Sequence, residues 1–294
     1  MNSRLVLAGG VSVGFVAWLV WQCLPQPYAD RLARIPETST HIDNVRPYDA
    51  AEKWERNGSQ AGLHLLNPSR VAYFDKTVRL LLKPPFRVLD VGCGGGLVSN
   101  ALGKMDGYSS IDGVDLSYEA LHYASNQAKD GNLTHVNFHS ASVYSLPFQN
   151  DSFNVVVISD VLEHLVDLVG ALKEVSRVLQ PNGVLVFDTI NRSLMAYLVA
   201  IVGAEYVVRI ISKGSHDWRL FVRPVELHQA LKLAGFHGFT HHGFDPSFKA
   251  LLQLSLFSMG LMRAEDMQGD WRIEPPSAMM ISYIGHATRL DGTN

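Results

Sequence analysis

Three ionisable side chains follow an apolar run near the middle of the chain. Residues 155–158 are apolar, and Asp160, Glu163 and His164 come soon after them. Such groups are costly to bury beside a core unless they are paired or bound to something. If a helix begins at Asp160, positions i, i+3 and i+4 share one face and the three side chains converge.

Two carboxylates and one imidazole suit a divalent cation of the magnesium or manganese type. The alternative is structural, because acidic residues stabilise the first turn of a helix and a single histidine usually serves packing. Considered alone, these residues favour the structural interpretation. Mg²⁺ or another divalent cation becomes the prediction only with the resemblance described below.

A second chemical signal is the glycine cluster in "VLDVGCGGGLVS". Asp90, Gly92, Gly94 and Gly96 stand where a short apolar strand turns into a helix. Glycine lets the backbone approach a ligand closely and adopt torsion angles that other residues resist. A dinucleotide fingerprint needs glycine three positions after Gly94, where this chain has Leu97. The cluster therefore fits NAD poorly.

Asp115 ends the next apolar strand, in "IDGVDL". A carboxylate at that place can accept hydrogen bonds from both hydroxyls of a ribose, whichever nucleotide carries it. Asp115 and the glycine cluster together predict a ribose-containing ligand. Ser142 and Val143, after the third strand, are candidates for its adenine edge.

Short β-branched runs alternate with helical patterns from residue 86 onward. Strands that alternate with helices indicate right-handed crossovers and a parallel sheet. We therefore predict a doubly wound α/β fold with a mostly parallel sheet, whose ligands bind at the carboxyl ends of the strands.

The N-terminal residues 5–24 form an apolar run without a charge. About 20 residues in a helix span the roughly 30 Å hydrocarbon core of a bilayer. We predict a membrane anchor at residues 1–25, a linker at 26–47 and the catalytic domain at 48–294. A cleaved segment and a buried core helix are the alternatives.

Composition excludes two classes of protein. The net charge is −3 with both signs interspersed, which argues against binding to nucleic acid. Two cysteines cannot make the disulfide framework of a small secreted domain.

Residues 191–223 interrupt the strand–helix alternation with an apolar, helical-looking stretch. Glu205 and Arg209 interrupt that stretch, so a second membrane span is disfavoured. We predict a lid or an interfacial helix.

The glycine cluster and Asp115 resemble those of class I S-adenosyl-L-methionine-dependent methyltransferases. From about residue 48 the chain resembles, more narrowly, the ubiquinone-biosynthesis O-methyltransferases. The matching stretches include "LHLLNPSR", "VLEHL", "VGAEY" and "KGSHDWRLFVRPVEL". The resemblance implies a seven-stranded Rossmann-like fold and methylation of a hydroxyl on a polyprenylated catechol.

The same resemblance assigns roles to individual residues. It implies cofactor contacts at Arg70 and Ser159, and it matches an acidic-x-x-Glu-His metal motif to the triad described above. The first residue of that motif is usually Glu, so Asp160 is a departure.

Two residues of the insert are candidate catalytic groups. His216 is a candidate general base or substrate contact, and Glu205, with Tyr206, is a candidate for the mouth of the acceptor site. The alternatives are a structural histidine and residues that cap the inserted helix.

The resemblance also implies partners and a location. The first hypothesis is a membrane-attached enzyme, in the mitochondrial inner membrane, that takes a lipophilic quinone precursor and joins a quinone-biosynthesis complex. The second keeps the chemistry but changes the acceptor to another lipophilic phenol or acid. The third is an inactive, cofactor-binding scaffold in such a complex.

Overall fold

A computed structural model describes residues 50–55, 58, 60–207, 211–263, 266–267, 271–275 and 281–291. The predicted membrane anchor and linker, residues 1–47, lie outside the described residues. Within the described ranges, no helix is both long and apolar enough to cross a membrane.

The centre of the fold is one eight-stranded sheet within the described part of the chain. Its strands are β1 Phe86–Val91, β2 Tyr108–Asp115, β3 Val136–Ser140, β4 Phe153–Ser159, β5 Leu179–Ile190, β6 Phe236–Pro246, β7 Trp271–Glu274 and β8 Ser282–Arg289. They lie in the order β3-β2-β1-β4-β5-β8-β6-β7. Strands β1 to β5 pair in parallel, and β8 is antiparallel to both β5 and β6.

The mostly parallel, doubly wound sheet is confirmed, but the predicted number of seven strands is wrong. The additional strand is β7, which has four residues and pairs with the last residues of β6. A four-residue strand at the edge of a sheet depends on that pairing rather than on an apolar pattern of its own.

Helices cover both faces of the sheet. They are α1 Ala61–Leu81, α2 Leu97–Leu102, α3 Tyr118–Asp130, α4 Leu168–Val178, α5 Leu194–Ala196, α6 Pro224–Leu233 and α7 Phe248–Ser258. Helix α5 continues as a π-helix, Tyr197–Val207. In the described ranges, short 3-10 helices span Ala51–Trp54, Leu162–His164 and Trp218–Leu220.

Side-chain caps fix where several helices begin. Ser117 accepts a hydrogen bond from the Ala120 amide at 3.1 Å, and Asp167 accepts one from the Gly170 amide at 2.8 Å. Each bond satisfies one of the free amides at a helix start. Helices α3 and α4 therefore begin immediately after the loops that carry the site.

The core lies on both sides of β4. Val155 and Val157 pack in the cluster that includes α1 and α2, while Val156 and Ile158 pack with α4 and α6. Each such side chain stabilises the fold by about 1.5–3 kcal/mol when fully buried. The carboxyl end of β4 is consequently held in place by core packing from both faces.

The segment 191–223 lies between β5 and α6. Arg192, at its start, forms a buried ion pair with Glu226 of α6. This pair fixes the base of the inserted segment to the side of the sheet.

Candidate functional site

A cavity of about 530 Å³ opens at the carboxyl ends of β1, β2, β4 and β5. All the predicted cofactor residues line it, namely Arg70, Asp90, Gly92, Gly94, Asp115, Ser142 and Ser159. Val143, Asp160, His164 and His216 line it as well. This is the edge of the sheet at which the sequence predicts ligands, so the structure brings these residues around one space.

The glycine loop between β1 and α2 folds back on β2. Gly92, Gly94 and Gly96 have φ values of 71°, 50° and 73°, a region that favours glycine. The Gly92 amide donates to the Val114 carbonyl at 2.7 Å, and the Gly94 amide donates to Asp115 Oδ2 at 2.8 Å. The loop and the acidic residue of β2 thus form one rigid unit.

Asp115 is oriented from its other side by the turn into α3. Its Oδ1 accepts a hydrogen bond from the Ser117 amide at 2.9 Å. Each carboxylate oxygen can accept a further hydrogen bond, as recognition of a ribose requires. The predicted ribose contact is sound in geometry, and its role stays a prediction.

Asp90 is a buried carboxyl that lines the cavity beneath the glycine loop. The Ser99 hydroxyl donates to Asp90 Oδ2 at 2.6 Å. Burial raises the pKa of Asp90 from 3.8 to about 6, against the opposing effects of the Ser99 hydrogen bond and the Arg70 charge. Ionised above that pH, Asp90 presents a poorly hydrated negative charge to the cavity.

Arg70 joins the ends of β4 and β5. Its Nη2 donates to Asp160 and, at 2.8 Å, to Asp188 Oδ2, while the Ser159 hydroxyl donates to Asp188 Oδ1 at 2.7 Å. Burial alone would lower the pKa of Arg70, but the two carboxylates raise it. Burial raises the pKa of Asp188 to about 7, although the Arg70 charge acts in the opposite direction.

Asp188 was not among the site residues predicted from the sequence. It could have been identified as a carboxyl inside the otherwise apolar strand "VLVFDTI". A buried carboxyl at such a place needs a partner, and here the partners are Arg70 and Ser159.

The predicted convergence of Asp160, Glu163 and His164 is wrong. Asp160 has a φ of 52°, and the following turn is a 3-10 helix, so the α-helical spacing does not apply. Asp160 pairs with Arg70, whereas Glu163 lies behind the wall of the cavity. Among the residues that the structure describes, no group of three His, Cys, Asp or Glu side chains could hold a metal ion. The residues present therefore do not fit Mg²⁺.

Glu163 faces the interior. Its Oε2 accepts a hydrogen bond from the Thr189 hydroxyl at 2.7 Å, and its Oε1 has no hydrogen-bond partner in the described part of the chain. Burial raises the pKa of Glu163 well above its ordinary value. A neutral, protonated side chain suits this environment better than a metal-binding carboxylate.

Glu205 and His216 form a hydrogen-bonded pair beside the cavity. Glu205 Oε1 lies 2.8 Å from His216 Nδ1, and the same carboxylate accepts the backbone amides of His216 at 3.0 Å and Gly214 at 2.7 Å. The His216 ring also stacks on His164 with 5.4 Å between ring centroids. A carboxylate on Nδ1 holds the proton there and leaves Nε2 as the acceptor.

Tyr206 does not share this placement. Its side chain is exposed, and Lys213 Nζ lies 5.7 Å from the centroid of its ring. The structure therefore separates Tyr206 from the cavity that His216 lines.

The end of the cavity formed by the insert is apolar. Leu198 and Ala200 of the π-helix, Leu251 and Leu254 of α7, and Trp271 of β7 contribute to its lining. One continuous space thus joins a polar end, which carries Asp115, to a region suited to an aliphatic substituent.

The fold and this cavity define a class I methyltransferase. A family model described as a methyltransferase domain matches residues 89–187. Two solved structures share the fold: YcgJ from Bacillus subtilis, at 19% identity and a TM-score of 0.55, covers 76% of this chain and 100% of its own. A possible histamine N-methyltransferase from Thermotoga maritima has 17% identity and a TM-score of 0.53, covering 78% and 90%.

Sequence relatives narrow the class. A Coxiella burnetii protein named ubiquinone biosynthesis O-methyltransferase is 37% identical over 204 residues, which cover 68% of this chain and 85% of the relative. A Roseobacter denitrificans protein of the same name is 32% identical over 220 residues, covering 71% and 88%. The chain belongs to the ubiquinone biosynthesis O-methyltransferase family.

Proposed function

We propose that this protein transfers a methyl group from S-adenosyl-L-methionine to a hydroxyl of a polyprenylated catechol in ubiquinone biosynthesis. The observation that carries the proposal is the single cavity that joins the glycine loop and Asp115 to the Glu205–His216 pair and an apolar end. Membership of the family supports the same reaction.

The residues at the polar end fit S-adenosylmethionine. The Gly94 backbone has a torsion angle that favours glycine, Asp115 has acceptor capacity for the ribose hydroxyls, and Ser142 lines the same space. Arg70 and Ser159 border the cavity next to Asp188. When bound, the cofactor supplies an electrophilic methyl group on a sulfonium sulfur.

His216 is the proposed general base. A phenolic hydroxyl has an ordinary pKa of about 10, so removal of its proton during the reaction makes the oxygen a better nucleophile at neutral pH. His216 Nε2 accepts that proton, and Glu205 holds the ring orientation and stabilises the charged imidazolium. The apolar end excludes water and positions the acceptor, and positioning alone can provide much of the acceleration.

A transfer assay tests the proposal. The purified protein is incubated with S-adenosylmethionine carrying a labelled methyl group and with catechols that differ only in the presence of a prenyl tail. We expect label on the catechol oxygen, with a lower KM for prenylated acceptors because the apolar end buries the tail. Binding of the donor without transfer to any catechol would contradict the proposal and favour a scaffold. Transfer only to the unprenylated catechols would favour another acceptor.

We also propose that residues 5–24 attach the enzyme to a membrane, the mitochondrial inner membrane, beside other quinone-synthesis proteins. The support is the uncharged apolar run and the low solubility of a prenylated acceptor in water. Removal of residues 1–25 should release the protein from membranes and leave activity on a short-tailed catechol. Continued sedimentation with lipid would contradict an anchor at the N-terminus.

A further inference from the structure

The 3-10 helix Ala51–Trp54 lies against the glycine loop. Trp54 is 6% exposed and lines the cavity together with Gly94. A Cβ atom added to either Gly94 or Gly95 would overlap the indole ring. Glycine at these two positions therefore makes room for Trp54, in addition to allowing the backbone to turn.

Short-range hydrogen bonds fasten this segment to the start of α1. His64 Nε2 donates to the Trp54 carbonyl at 2.8 Å, and the Gln60 amide donates to the Lys53 carbonyl at 3.0 Å. Trp54 is thus bonded to α1 through His64, and its neighbour Lys53 is bonded to the residue that precedes α1, so the segment is held against the loop.

Gln60 places an unsatisfied side-chain donor at the wall of the same cavity. Its side chain is 4% exposed and lines the cavity, and its Nε2 has no hydrogen-bond partner among the described residues. A buried donor left without an acceptor destabilises a protein, and most such groups in folded proteins are satisfied. Its presence on a cavity wall indicates an acceptor supplied by a ligand.

The cavity wall continues along α1 from Gln60. Leu63, Leu66 and Arg70 follow at helical spacing and also line the cavity. Helix α1 and the turn before it therefore present an aromatic ring, an amide donor and a guanidinium to one space, which the glycine loop and Asp115 also border.

We propose that Trp54 and Gln60 bind the methyl donor. The indole covers the ligand at the glycine loop, and Gln60 Nε2 donates to one of its oxygens, either the amino-acid carboxylate or a ribose hydroxyl. The inference rests on the proposed S-adenosylmethionine site, and it adds two binding residues to that site.

Calorimetry with the full chain measures the contribution of each residue. Affinities for S-adenosylmethionine and 5′-methylthioadenosine are compared between the wild type and Gln60→Leu, Trp54→Ala and Trp54→Phe. We expect Gln60→Leu and Trp54→Ala each to weaken S-adenosylmethionine binding by about tenfold or more, the size expected for one lost contact of this kind. Trp54→Phe should restore part of the affinity because it keeps an aromatic face.

A matched control separates ligand binding from a general effect of burial. Gln253 is also buried, its Oε1 has no partner within the described residues, and it is not among the cavity-lining residues. Gln253→Leu should leave donor affinity unchanged. The thermal midpoint of ligand-free Gln60→Leu should equal or exceed that of the wild type, because leucine has no donor to leave unsatisfied.

Comparison of S-adenosylmethionine with 5′-methylthioadenosine shows which ligand oxygen accepts from Gln60. Weaker binding of S-adenosylmethionine alone places Gln60 at the carboxylate, since methylthioadenosine lacks the amino-acid part, whereas weaker binding of both places it at the ribose. Unchanged affinity in either Gln60→Leu or Trp54→Ala overturns the proposal, and Trp54→Leu, which also lacks an aromatic face, replaces Trp54→Ala in that decision if the alanine variant does not fold. Failure of the wild type to bind S-adenosylmethionine would instead overturn the proposed function.

Discussion

Asp90→Asn should raise the free energy of unfolding of the ligand-free protein above that of the wild type by more at pH 8 than at pH 5. Burial raises the pKa of Asp90 from 3.8 to about 6. Between these two values the folded protein keeps a proton that the unfolded chain has lost. The free energy of unfolding of the wild type therefore falls as the pH rises from about 4 to about 6, and above that it stays lower.

The size of the effect follows from the two pKa values. The difference between 3.8 and about 6 corresponds to about 3 kcal/mol in the free energy of unfolding. About 1 to 1.5 kcal/mol of this loss in wild-type stability occurs above pH 5, because only about one pH unit separates pH 5 from the pKa of Asp90 in the folded protein. Asparagine carries no charge at either pH, so the variant lacks this contribution and can still accept the Ser99 hydroxyl.

Urea denaturation at pH 5 and pH 8 measures the effect. The stability of Asp90→Asn minus that of the wild type should be greater at pH 8 than at pH 5 by about 1 kcal/mol or more. Asp130→Asn makes the same substitution at the exposed end of α3 and should give equal differences at the two pH values. Equal differences for Asp90→Asn would refute the reasoning.

Three further changes test other parts of the site. Asp115→Ala should weaken S-adenosylmethionine binding about 100-fold by calorimetry, because it removes a charged acceptor and frees the glycine loop. Glu205→Gln should lower kcat about 100-fold and leave donor affinity unchanged, because it no longer holds the His216 tautomer. Glu163→Gln keeps an acceptor for the Thr189 hydroxyl without a buried charge, so activity should stay within about threefold and the thermal midpoint at pH 8 should not fall.

Each of these changes has a control or a contrary outcome. Asp112→Ala, on β2 beside His139, should leave donor affinity unchanged, and Glu174→Gln, next to Arg177 in α4, should leave kcat unchanged. Activity lost in Glu163→Gln would contradict the placement of that side chain behind the cavity wall.

Features determined by neighbouring residues were predictable from the sequence. The glycine loop follows from glycine itself, and the start of α3 follows from Ser117, a residue type that commonly caps helices and does so here. The parallel sheet follows from alternating strands and helices. Glu205 and His216 were separate candidates in the insert, and the hydrogen bond between them was not predicted.

The predicted convergence of Asp160, Glu163 and His164 assumed an α-helix that begins at Asp160. Aspartate tolerates a positive φ, and Asp160 adopts one in the turn after β4. The side chain then reaches Arg70, and Glu163 turns to Thr189. A motif records residue types and spacing, and it does not record the conformation that brings side chains together.

Contacts between distant segments account for the remaining differences. Trp54 contacts the glycine loop, which lies about forty residues later in the chain. Asp188 of β5 binds Arg70 of α1, and β7 forms by pairing with β6. These contacts depend on how the chain packs as a whole, and no local pattern encodes them.

The π-helical winding of residues 197–207 limits which changes in length the insert tolerates. A π-helix closes its hydrogen bonds over five residues, one more than an α-helix does, so its winding depends on the number of residues as well as on their types. Deletion of one residue between Tyr197 and Glu205 would rotate the carboxylate away from Gly214 and His216. A sequence alignment that allows a one-residue gap in this helix would therefore treat as harmless a deletion that removes Glu205 from His216.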